Sequence, residues 1–377
     1  MNILLLGDAS NYHATLAKGL RALGHSVTVM SNGSRWQKTD RDIDITRRPG
    51  KIGGAMHWLS LWYQHHKDLK GYDVVQINNP FFTELKPARL SPIFDRLKRE
   101  NGAVFMTALG TDPFYVKECL DPASPIAYSE WRIGSEPGAL AIARPSLIEE
   151  WTNPMMTAYA SHIYDNLDGV TTALWEYHVQ ISRQLSPERY AYIGLPIDVD
   201  SIKHVGIKQG LGERPIKLLL GRHSYRQPEK GTDLLEKAAR VVVDRHPGLA
   251  VLEIVEDLPF KEYCRKLEAA DIVLDQIYSY TPATNALLAM AMGKNVISGG
   301  EPVFYDFIGE HELRPIINAS PRLDALIETL DAVVLSPEEI EARGRDSRRF
   351  VEKHHDSKIV AARAVQFWQK RIKELGR

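Results

Sequence analysis

The strongest constraint on the fold is an order of apolar runs and helix-like segments that occurs twice along the chain. The first run, residues 2–6, is apolar after its first residue and ends at Gly7. A segment with leucines at helical spacing separates it from a second run at residues 27–30. Continuous apolar runs of this length are typical of strands that are buried on both faces of a parallel sheet. Strands that alternate with helices predict an α/β fold with right-handed crossovers.

The same order begins again near residue 216. The run at residues 216–220 ends at Gly221, just as the first run ends at Gly7. We therefore predict two Rossmann-like, doubly wound domains that face each other across a cleft. The remaining predicted strands are residues 73–77, 103–107, 169–172, 250–255, 271–274 and 295–297.

Length and glycine content predict where the domains divide. A chain of 377 residues is too long for one ordinary hydrophobic core. Glycine and proline concentrate between the two series of strands, which is typical of a linker. The predicted units are an N-terminal domain at 1–195, a linker at 196–215, a C-terminal domain at 216–350, and a helical segment at 351–377 that packs back toward the N-terminal domain.

Composition excludes several classes of protein. The 47 basic residues nearly balance the 48 acidic residues, which argues against a nucleic-acid binder. No run approaches the ~18 apolar residues that a bilayer-spanning helix needs, and the first residues do not resemble a signal peptide. Cys119 and Cys264 are the only cysteines, so no disulfide framework is expected. These features together indicate a reduced, cytoplasmic setting.

The first hundred residues carry a local basic excess. They contain 15 basic and 9 acidic residues, a net of +6, whereas residues 101–200 have a net of −8. Arg47, Arg48 and Lys51 precede a segment rich in aromatic and aliphatic residues. This pattern fits peripheral contact of residues 47–70 with anionic lipid headgroups. The alternative is a core helix that packs Trp58 and Leu61 or Trp62 inward, and the sequence leaves both interpretations open.

The loop after the first strand is polar but lacks a dinucleotide fingerprint. Ligands of doubly wound sheets bind outside the carboxyl ends of the strands, so this loop is a candidate site. The second and third glycines of Gly-x-Gly-x-x-Gly are absent after Gly7, which counts against a dinucleotide oxidoreductase. Ser10 or Asn11 is expected to cap the following helix. Asn11 and His13 are candidates to face a ligand.

The loop after the strand at 216–220 carries the most charge. Arg222, Arg226 and Lys230 lie between a buried strand and a helix N-terminus, where backbone amides and the helix dipole favour an anion. Arginine forks and a lysine point charge both suit phosphate oxygens. The alternative is a solvated basic loop. The position directly after a strand favours phosphate binding.

Several features together resemble one enzyme family. They are the two Rossmann-like halves, the Arg…Lys-Gly turn that ends at Gly231, the helix Ala-Met-Ala-Met-Gly-Lys at 289–294, and the segment Phe-Val-Glu-Lys-His-His-Asp at 350–356. The chain is similar to the retaining nucleotide-sugar glycosyltransferases of the GT-B fold, in their family four branch. The similarity covers nearly the whole chain and is strongest from 216 to 369. It implies transfer of a sugar from a nucleotide-diphosphate donor, held by the C-terminal domain, to an acceptor on the N-terminal domain.

The resemblance also implies which residues bind the donor. Arg222 and Lys230 match the family's diphosphate-binding pair, with Arg226 as the alternative to Arg222 because the interval here is longer. Tyr280 and Leu288 stand where the family carries glutamates that contact the donor sugar and the ribose. With Leu288 unable to accept a ribose hydrogen bond, Glu301 or Asp275 is expected to replace it. The predicted donor-binding set is Arg222, Arg226, Lys230, Gly231, Tyr280, Thr284, Asn285 and Glu301.

The acceptor side is predicted from polar residues that follow the N-terminal strands. The family's histidine after the fourth strand is not evident, and Thr111 and Asp112 are the polar candidates there. The predicted catalytic residues are Arg222 and Lys230, which stabilise the leaving diphosphate, together with Asp112. No metal or other cofactor is implied. The predicted acceptor-side set is Asn11, His13, Asn78, Thr111 and Asp112.

The predicted function is a glycosyltransferase with a saccharide or lipid-linked acceptor, acting in bacterial surface polysaccharide or glycolipid synthesis. It would be cytoplasmic or peripheral on the inner face of the membrane. Two alternatives remain: a non-catalytic GT-B scaffold that has lost its donor site, and a nucleotide-sugar epimerase. Tyr280 and Leu288 favour the scaffold, whereas the basic loop argues against it.

Overall fold

The structure is a computed structural model that describes residues 1–33 and 39–377. Its strands are β1 (Asn2–Leu6), β2 (Ser26–Ser31), β3 (Ile43–Asp44), β4 (Val74–Asn78), β5 (Ala103–Ala108), β6 (Arg132–Ile133), β7 (Glu136–Pro137), β8 (Gly169–Thr172), β9 (Tyr190–Tyr192), β10 (Ile216–Arg222), β11 (Ala250–Glu256), β12 (Ile272–Leu274), β13 (Asn295–Ser298) and β14 (Ile317–Asn318). Its helices are α1 (Tyr12–Ala22), α2 (Ile52–His65), α3 (Pro87–Glu100), α4 (Pro113–Leu120), α5 (Ala139–Ala143), α6 (Ser146–Thr152), α7 (Pro154–Asn166), α8 (Trp175–Ser182), α9 (Gln227–Lys230), α10 (Thr232–Arg245), α11 (Phe260–Ala269), α12 (Thr284–Ala291), α13 (Pro302–Phe307), α14 (Leu323–Val334), α15 (Pro337–His354) and α16 (Ser357–Glu374).

The N-terminal half is built on a parallel sheet with the order β3-β2-β1-β4-β5-β8-β9. The strands β1, β4 and β5 are almost entirely buried because helices cover both faces of the sheet. The chain adds strands in one direction from β1 to β3 and in the other from β4 onward. The order therefore reverses between β1 and β4, which is the switch point of this sheet.

The C-terminal half is built on a second parallel sheet with the order β11-β10-β12-β13-β14. Its order reverses between β10 and β12. The prediction of two doubly wound sheets is confirmed. The short strands β3, β9 and β14 were not predicted, because two or three residues carry too little hydrophobic pattern to be recognised.

The last helix returns to the N-terminal half. In α16, Trp368 is fully buried with its ring centroid 6.1 Å from that of Phe105 in β5. Arg371 Nε donates to the carbonyl of Asp168, just before β8, at 3.1 Å. A side chain at Gly19 of α1 would lie 2.1 Å from the carbonyl oxygen of Ser357, so glycine permits α1 and α16 to approach. The exact domain bounds stay a prediction.

The N-terminus of α1 is capped differently from the prediction. Asn11 precedes the helix with a φ of 66°, and its side chain makes no capping hydrogen bond. Asp8 instead accepts the amide hydrogens of His13 at 3.0 Å and Ala14 at 3.2 Å. The expected cap at Ser10 or Asn11 is therefore wrong. Because Asp8 takes the capping role, Asn11 is not needed for that purpose.

Candidate functional site

A ligand site is expected at the switch point of the C-terminal sheet, because the loops there diverge and leave a crevice. Two loops flank it. The β10 loop comprises residues 223–231, and the β12 loop comprises residues 275–283. The amide of Ile277 donates to the carbonyl of Lys230 at 3.0 Å, so backbone contact holds the two loops side by side.

Asp275 organises the polar groups at this switch point. Its carboxylate is buried and accepts from Lys230 Nζ at 3.2 Å and from Asn285 Nδ2 at 3.0 Å. Its other oxygen accepts from Ser298 Oγ at 3.1 Å. An ammonium has three donors, so Lys230 keeps capacity for an anion beside Asp275. The structure thus brings together two predicted donor-binding residues, Lys230 and Asn285, around one carboxylate.

The two arginines near the β10 loop are paired with carboxylates. Arg222 Nε donates to Glu256 at 2.8 Å, and its Nη1 donates to Glu236. The hydrogen bond that Arg222 donates to Glu256 is the main cause of the raised pKa of Arg222. Arg226 Nε donates to Glu229 at 2.6 Å. An incoming phosphate would compete with these carboxylates, so the positive charge at this point is less available than the sequence suggests.

A small cavity of about 60 Å³ opens at this switch point. It is far smaller than the roughly 300 Å³ of ordinary small-molecule pockets, so a nucleotide would extend beyond it. Tyr263 and His223 line it and were not predicted as site residues. The lining residues are Gly221, Arg222, His223, Lys230, Val255, Leu258, Tyr263 and Asn285.

A larger cavity of about 400 Å³, which we call the cleft cavity, lies between the two halves. It brings Asn11 of the predicted acceptor side opposite Thr284 of the predicted donor side. Its volume falls in the range of small-molecule pockets. Thr15 and Lys18 were not predicted as site residues, although their positions four and seven residues after Asn11 place them on the same face of α1. The lining residues are Asn11, Thr15, Lys18, Pro196, Ile197, Asp198, Ser201, Ile202, Lys203, Phe260, Cys264, Glu268, Thr284, Leu288 and Met292.

Tyr280 joins the two halves rather than facing either cavity. Its ring centroid lies 4.5 Å from that of Tyr128 and 4.6 Å from that of Trp175. Its hydroxyl oxygen accepts from the amides of Ala127 at 2.7 Å and Tyr128 at 3.2 Å. Burial raises the pKa of Tyr280. The aromatic contacts and side-chain hydrogen bonds of Tyr280 are thus directed to the N-terminal half, and its role in donor binding stays a prediction.

Glu301 and Thr281 extend the same contact. Glu301 Oε1 accepts from the hydroxyl of Tyr128 and from Asn318 Nδ2, both at 2.8 Å. The hydroxyl of Thr281 accepts from the amide of Trp175 at 3.0 Å and donates to Glu176 at 2.8 Å. Burial raises the pKa of Glu176 to about 7. Oε1 of Glu301 thus already has two partners, and the donor contact expected of Glu301 stays a prediction.

Asp112 caps the N-terminus of α4. It is buried at the start of α4, where Oδ1 accepts the amides of Phe114 and Tyr115, both at 2.8 Å. Its Oδ2 accepts from the hydroxyl of Tyr164 at 2.6 Å. Both carboxylate oxygens therefore have partners within the fold, and the catalytic and acceptor-side role of Asp112 stays a prediction. The Asp-Pro pair at 112–113 is itself a typical signal for a helix start.

The other predicted residues lie behind the cleft or in turns. His13 is fully buried, its Nδ1 lies 2.5 Å from the carbonyl oxygen of Gly7, and burial lowers its pKa to about 4. Asn78 is buried at the end of β4, and the carbonyl of Thr111 accepts from Asn79 at 3.3 Å. Gly231 has a φ of 67° between α9 and α10, where a side chain would clash with Ile277. None of these lines either cavity.

Within residues 1–33 and 39–377, no group of three or more His, Cys, Asp or Glu side chains is arranged to hold a metal ion. In the same part of the chain, no helix is long and apolar enough to cross a membrane.

No family model and no curated protein sequence matches this chain. Solved structures do match along its whole length. Sucrose-phosphate synthase from Thermosynechococcus elongatus matches with a TM-score of 0.61 and 14% identity, covering 99% of this chain and 100% of that one. WaaG, a glycosyltransferase involved in lipopolysaccharide biosynthesis, matches with a TM-score of 0.56 and 14% identity, covering 97% and 98%. Anabaena HepE in complex with UDP-glucose matches with a TM-score of 0.55 and 12% identity, covering 100% and 99%.

These similarities define the fold class. Each matched structure aligns with both halves of the chain, so the structural similarity includes the two sheets and the cleft between them. The chain therefore has the GT-B fold, with two Rossmann-like domains facing across a cleft, as the sequence predicts.

Proposed function

We propose that the protein is a glycosyltransferase that moves a sugar from a nucleotide-diphosphate donor to a saccharide or lipid-linked acceptor. The observation that carries this proposal is the arrangement of Lys230, Asp275 and Asn285 at the switch point of the C-terminal sheet. The ammonium of Lys230, which Asp275 holds at this point, suits the binding of a diphosphate. The similar structure of HepE contains UDP-glucose, which supports the same class of donor.

The roles follow from the position of each group. Lys230 would stabilise the negative charge that develops on the leaving diphosphate, with Arg222 and Arg226 contributing if they exchange carboxylates for phosphate oxygens. Asn285 would hold the donor beside Lys230. Thr284 and Asn11 would contact the donor and acceptor across the cleft cavity. We further propose that the reaction retains the anomeric configuration and needs no metal, with the departing phosphate accepting the proton of the acceptor hydroxyl.

The biological setting belongs to the same proposal. We infer a cytoplasmic enzyme of surface polysaccharide or glycolipid synthesis. The similar structure of WaaG is that of a glycosyltransferase of lipopolysaccharide biosynthesis, which supports this setting.

A panel of nucleoside diphosphates in a thermal-shift assay tests the donor class. A ligand that binds only the folded state must raise the apparent stability, by about 2.7 kcal/mol at a concentration one hundred times its Kd. We expect one nucleoside diphosphate to stabilise the protein and its sugar conjugate to release the free nucleotide during turnover. The proposal fails if no nucleoside diphosphate shifts the transition at millimolar concentration.

A second candidate function is that of a non-catalytic GT-B scaffold. Tyr280 favours it, because the residue at the family's sugar-contacting position packs instead against Tyr128 and Trp175. Leu288, at the ribose-contacting position, leaves an apolar side chain in the cleft cavity. Nucleotide binding without nucleotide release from any sugar conjugate, across a range of saccharide acceptors, would select this function over the transferase.

A further inference from the structure

Helix α2 exposes a continuous apolar stripe. Ile52, Met56, Leu59 and Tyr63 are 78%, 67%, 53% and 78% exposed, respectively. Their spacing of four, three and four residues places them on one narrow face of the helix. Scattered exposed apolar residues are normal on a protein surface, but a contiguous patch usually marks an interaction site.

The stripe is not the face by which α2 attaches to its own domain. Trp58 is buried in the core, where it packs with side chains that include Leu69 and Ile45. The indole of Trp62, one turn further, is stacked on Trp58 at a centroid distance of 5.1 Å. The helix is thus anchored by its tryptophan side. The tryptophan side matches the core-helix alternative of the sequence, and the stripe lies on another face of the same helix.

Basic residues predominate around the stripe, although Asp68, which pairs with His65 at 2.8 Å, lies among them at the C-terminal end of α2. Arg48, Lys51, Lys67 and Lys70 are exposed at the two ends of α2. From residue 45 to residue 67 the sequence contains no aspartate or glutamate. An apolar face bordered by cations is complementary to a surface that presents apolar chains beneath anionic headgroups. A protein partner would not require cations at both ends of the helix.

We propose that α2 docks the protein on an anionic lipid membrane, with the stripe Ile52, Met56, Leu59 and Tyr63 inserted at the level of the headgroups. The basic residues at its ends contact lipid phosphates. This contact does not depend on the donor chemistry proposed above, and it places the N-terminal half against the membrane. It provides a route to a lipid-linked acceptor without a spanning segment.

Flotation of the full chain with lipid vesicles tests the proposal. We expect binding to vesicles that contain phosphatidylglycerol, weaker binding to pure phosphatidylcholine vesicles, and a decrease in binding as salt rises. The variant Ile52→Ser/Met56→Ser/Tyr63→Ser should reduce the vesicle-bound fraction at least about tenfold, because burial of three large apolar side chains is lost. The variant Arg48→Gln/Lys51→Gln/Lys67→Gln should reduce binding to the anionic vesicles alone.

A matched control separates this face from general surface hydrophobicity. Ile142 and Met155 are also exposed apolar residues of the N-terminal half but lie outside α2. Ile142→Ser/Met155→Ser should leave binding unchanged, and thermal unfolding should show that all three variants are folded. The proposal is overturned if the wild-type chain does not float with anionic vesicles at low salt, or if the control loses as much binding as the stripe variant. It is also overturned if the chain is a dimer that the stripe substitutions dissociate, since a second copy would then be the occupant.

Discussion

The β10 loop and the β12 loop flank the same switch point but differ in what holds their side chains. In and beside the β10 loop, cations form ion pairs with carboxylates of the same half, and most of these groups are partly exposed. In the β12 loop, Tyr280 and Thr281 are buried and bonded to the other half. The side chains of the β10 loop are thus held within the C-terminal half, whereas Tyr280 and Thr281 of the β12 loop belong to the contact between the two halves.

The two loops differ in the free energy that is needed to break their contacts. A partly exposed ion pair contributes little net free energy, so a phosphate can replace a carboxylate at small cost. A buried aromatic stack with hydrogen-bonded hydroxyls cannot open without exposing its whole surface. Ligand binding is therefore expected on the β10 side, and conformational change of the β12 side is expected to require movement of the two domains.

Removal of the Tyr280 side chain should have the largest effect on stability. Tyr280→Ala should lower the free energy of unfolding by about 3–5 kcal/mol, because a large buried aromatic ring is lost. Tyr280→Phe should cost about 1–3 kcal/mol, since the amide of Ala127 loses its acceptor. Urea denaturation measures both changes. The matched control is Tyr63→Ala, an exposed tyrosine, which should change the free energy of unfolding by no more than about 0.5 kcal/mol. If Tyr280→Phe abolished nucleotide binding without changing stability, the assignment of the β12 loop to the interface would be wrong.

Loss of the Lys230 ammonium should weaken ligand binding and also lower stability, because the buried carboxylate of Asp275 loses its cation. Lys230→Ala should weaken nucleoside diphosphate binding by about 10–100-fold, the effect of one charged hydrogen bond of about 1.5–3 kcal/mol. Isothermal titration calorimetry measures the affinity. Lys237→Ala, an exposed lysine of α10, is the matched control. An unchanged affinity in Lys230→Ala would place the phosphate site elsewhere.

The domain contact at Glu176 should depend on pH. Its folded pKa of about 7 lies above the usual glutamate value of 4.5, so the folded state holds a proton that the unfolded state releases. This contribution to stability is complete below pH 4.5 and is lost as pH rises through 7. At pH 8, Glu176→Gln should therefore be more stable than the wild type by about 1–3 kcal/mol, with little difference at pH 4.5. Urea denaturation at both pH values measures this, and a difference independent of pH would contradict it.

A polar acceptor at position 288 should have the smallest effect. Leu288→Gln places an amide in the cleft cavity, where the resemblance implies a ribose contact. It should strengthen nucleoside diphosphate binding by about 2–10-fold, the effect of one neutral hydrogen bond of about 0.5–1.5 kcal/mol. Calorimetry with inorganic pyrophosphate, which has no ribose, is the control. Equal gains for both ligands would show that the substitution acts without contacting ribose.

The sequence predicts the fold better than the site because the two depend on patterns of different range. Long apolar runs such as 2–6 and 216–220 locate both sheets, since burial on two faces leaves a local signal. The role of Asp275 could also have been predicted more firmly, because it directly follows a predicted strand. Tyr280 could not, since its hydrogen-bond partner Ala127 lies 153 positions away and no local pattern marks the pair. The capping role of Asp112 was not predicted, because a capping carboxylate and a catalytic carboxylate look alike when only the sequence is known.

The return of α16 to the N-terminal half has a consequence for folding during synthesis. Phe367 and Trp368 pack against Phe105 in a core that contains residues from both halves of the chain. While the ribosome is still producing the C-terminal half, the surface of α1 that α16 covers stays exposed to water. The N-terminal half therefore reaches its final packing last, although it is made first. A nascent chain of this protein would carry an uncovered apolar surface through most of its translation, and that is the interval in which a chaperone has something to bind.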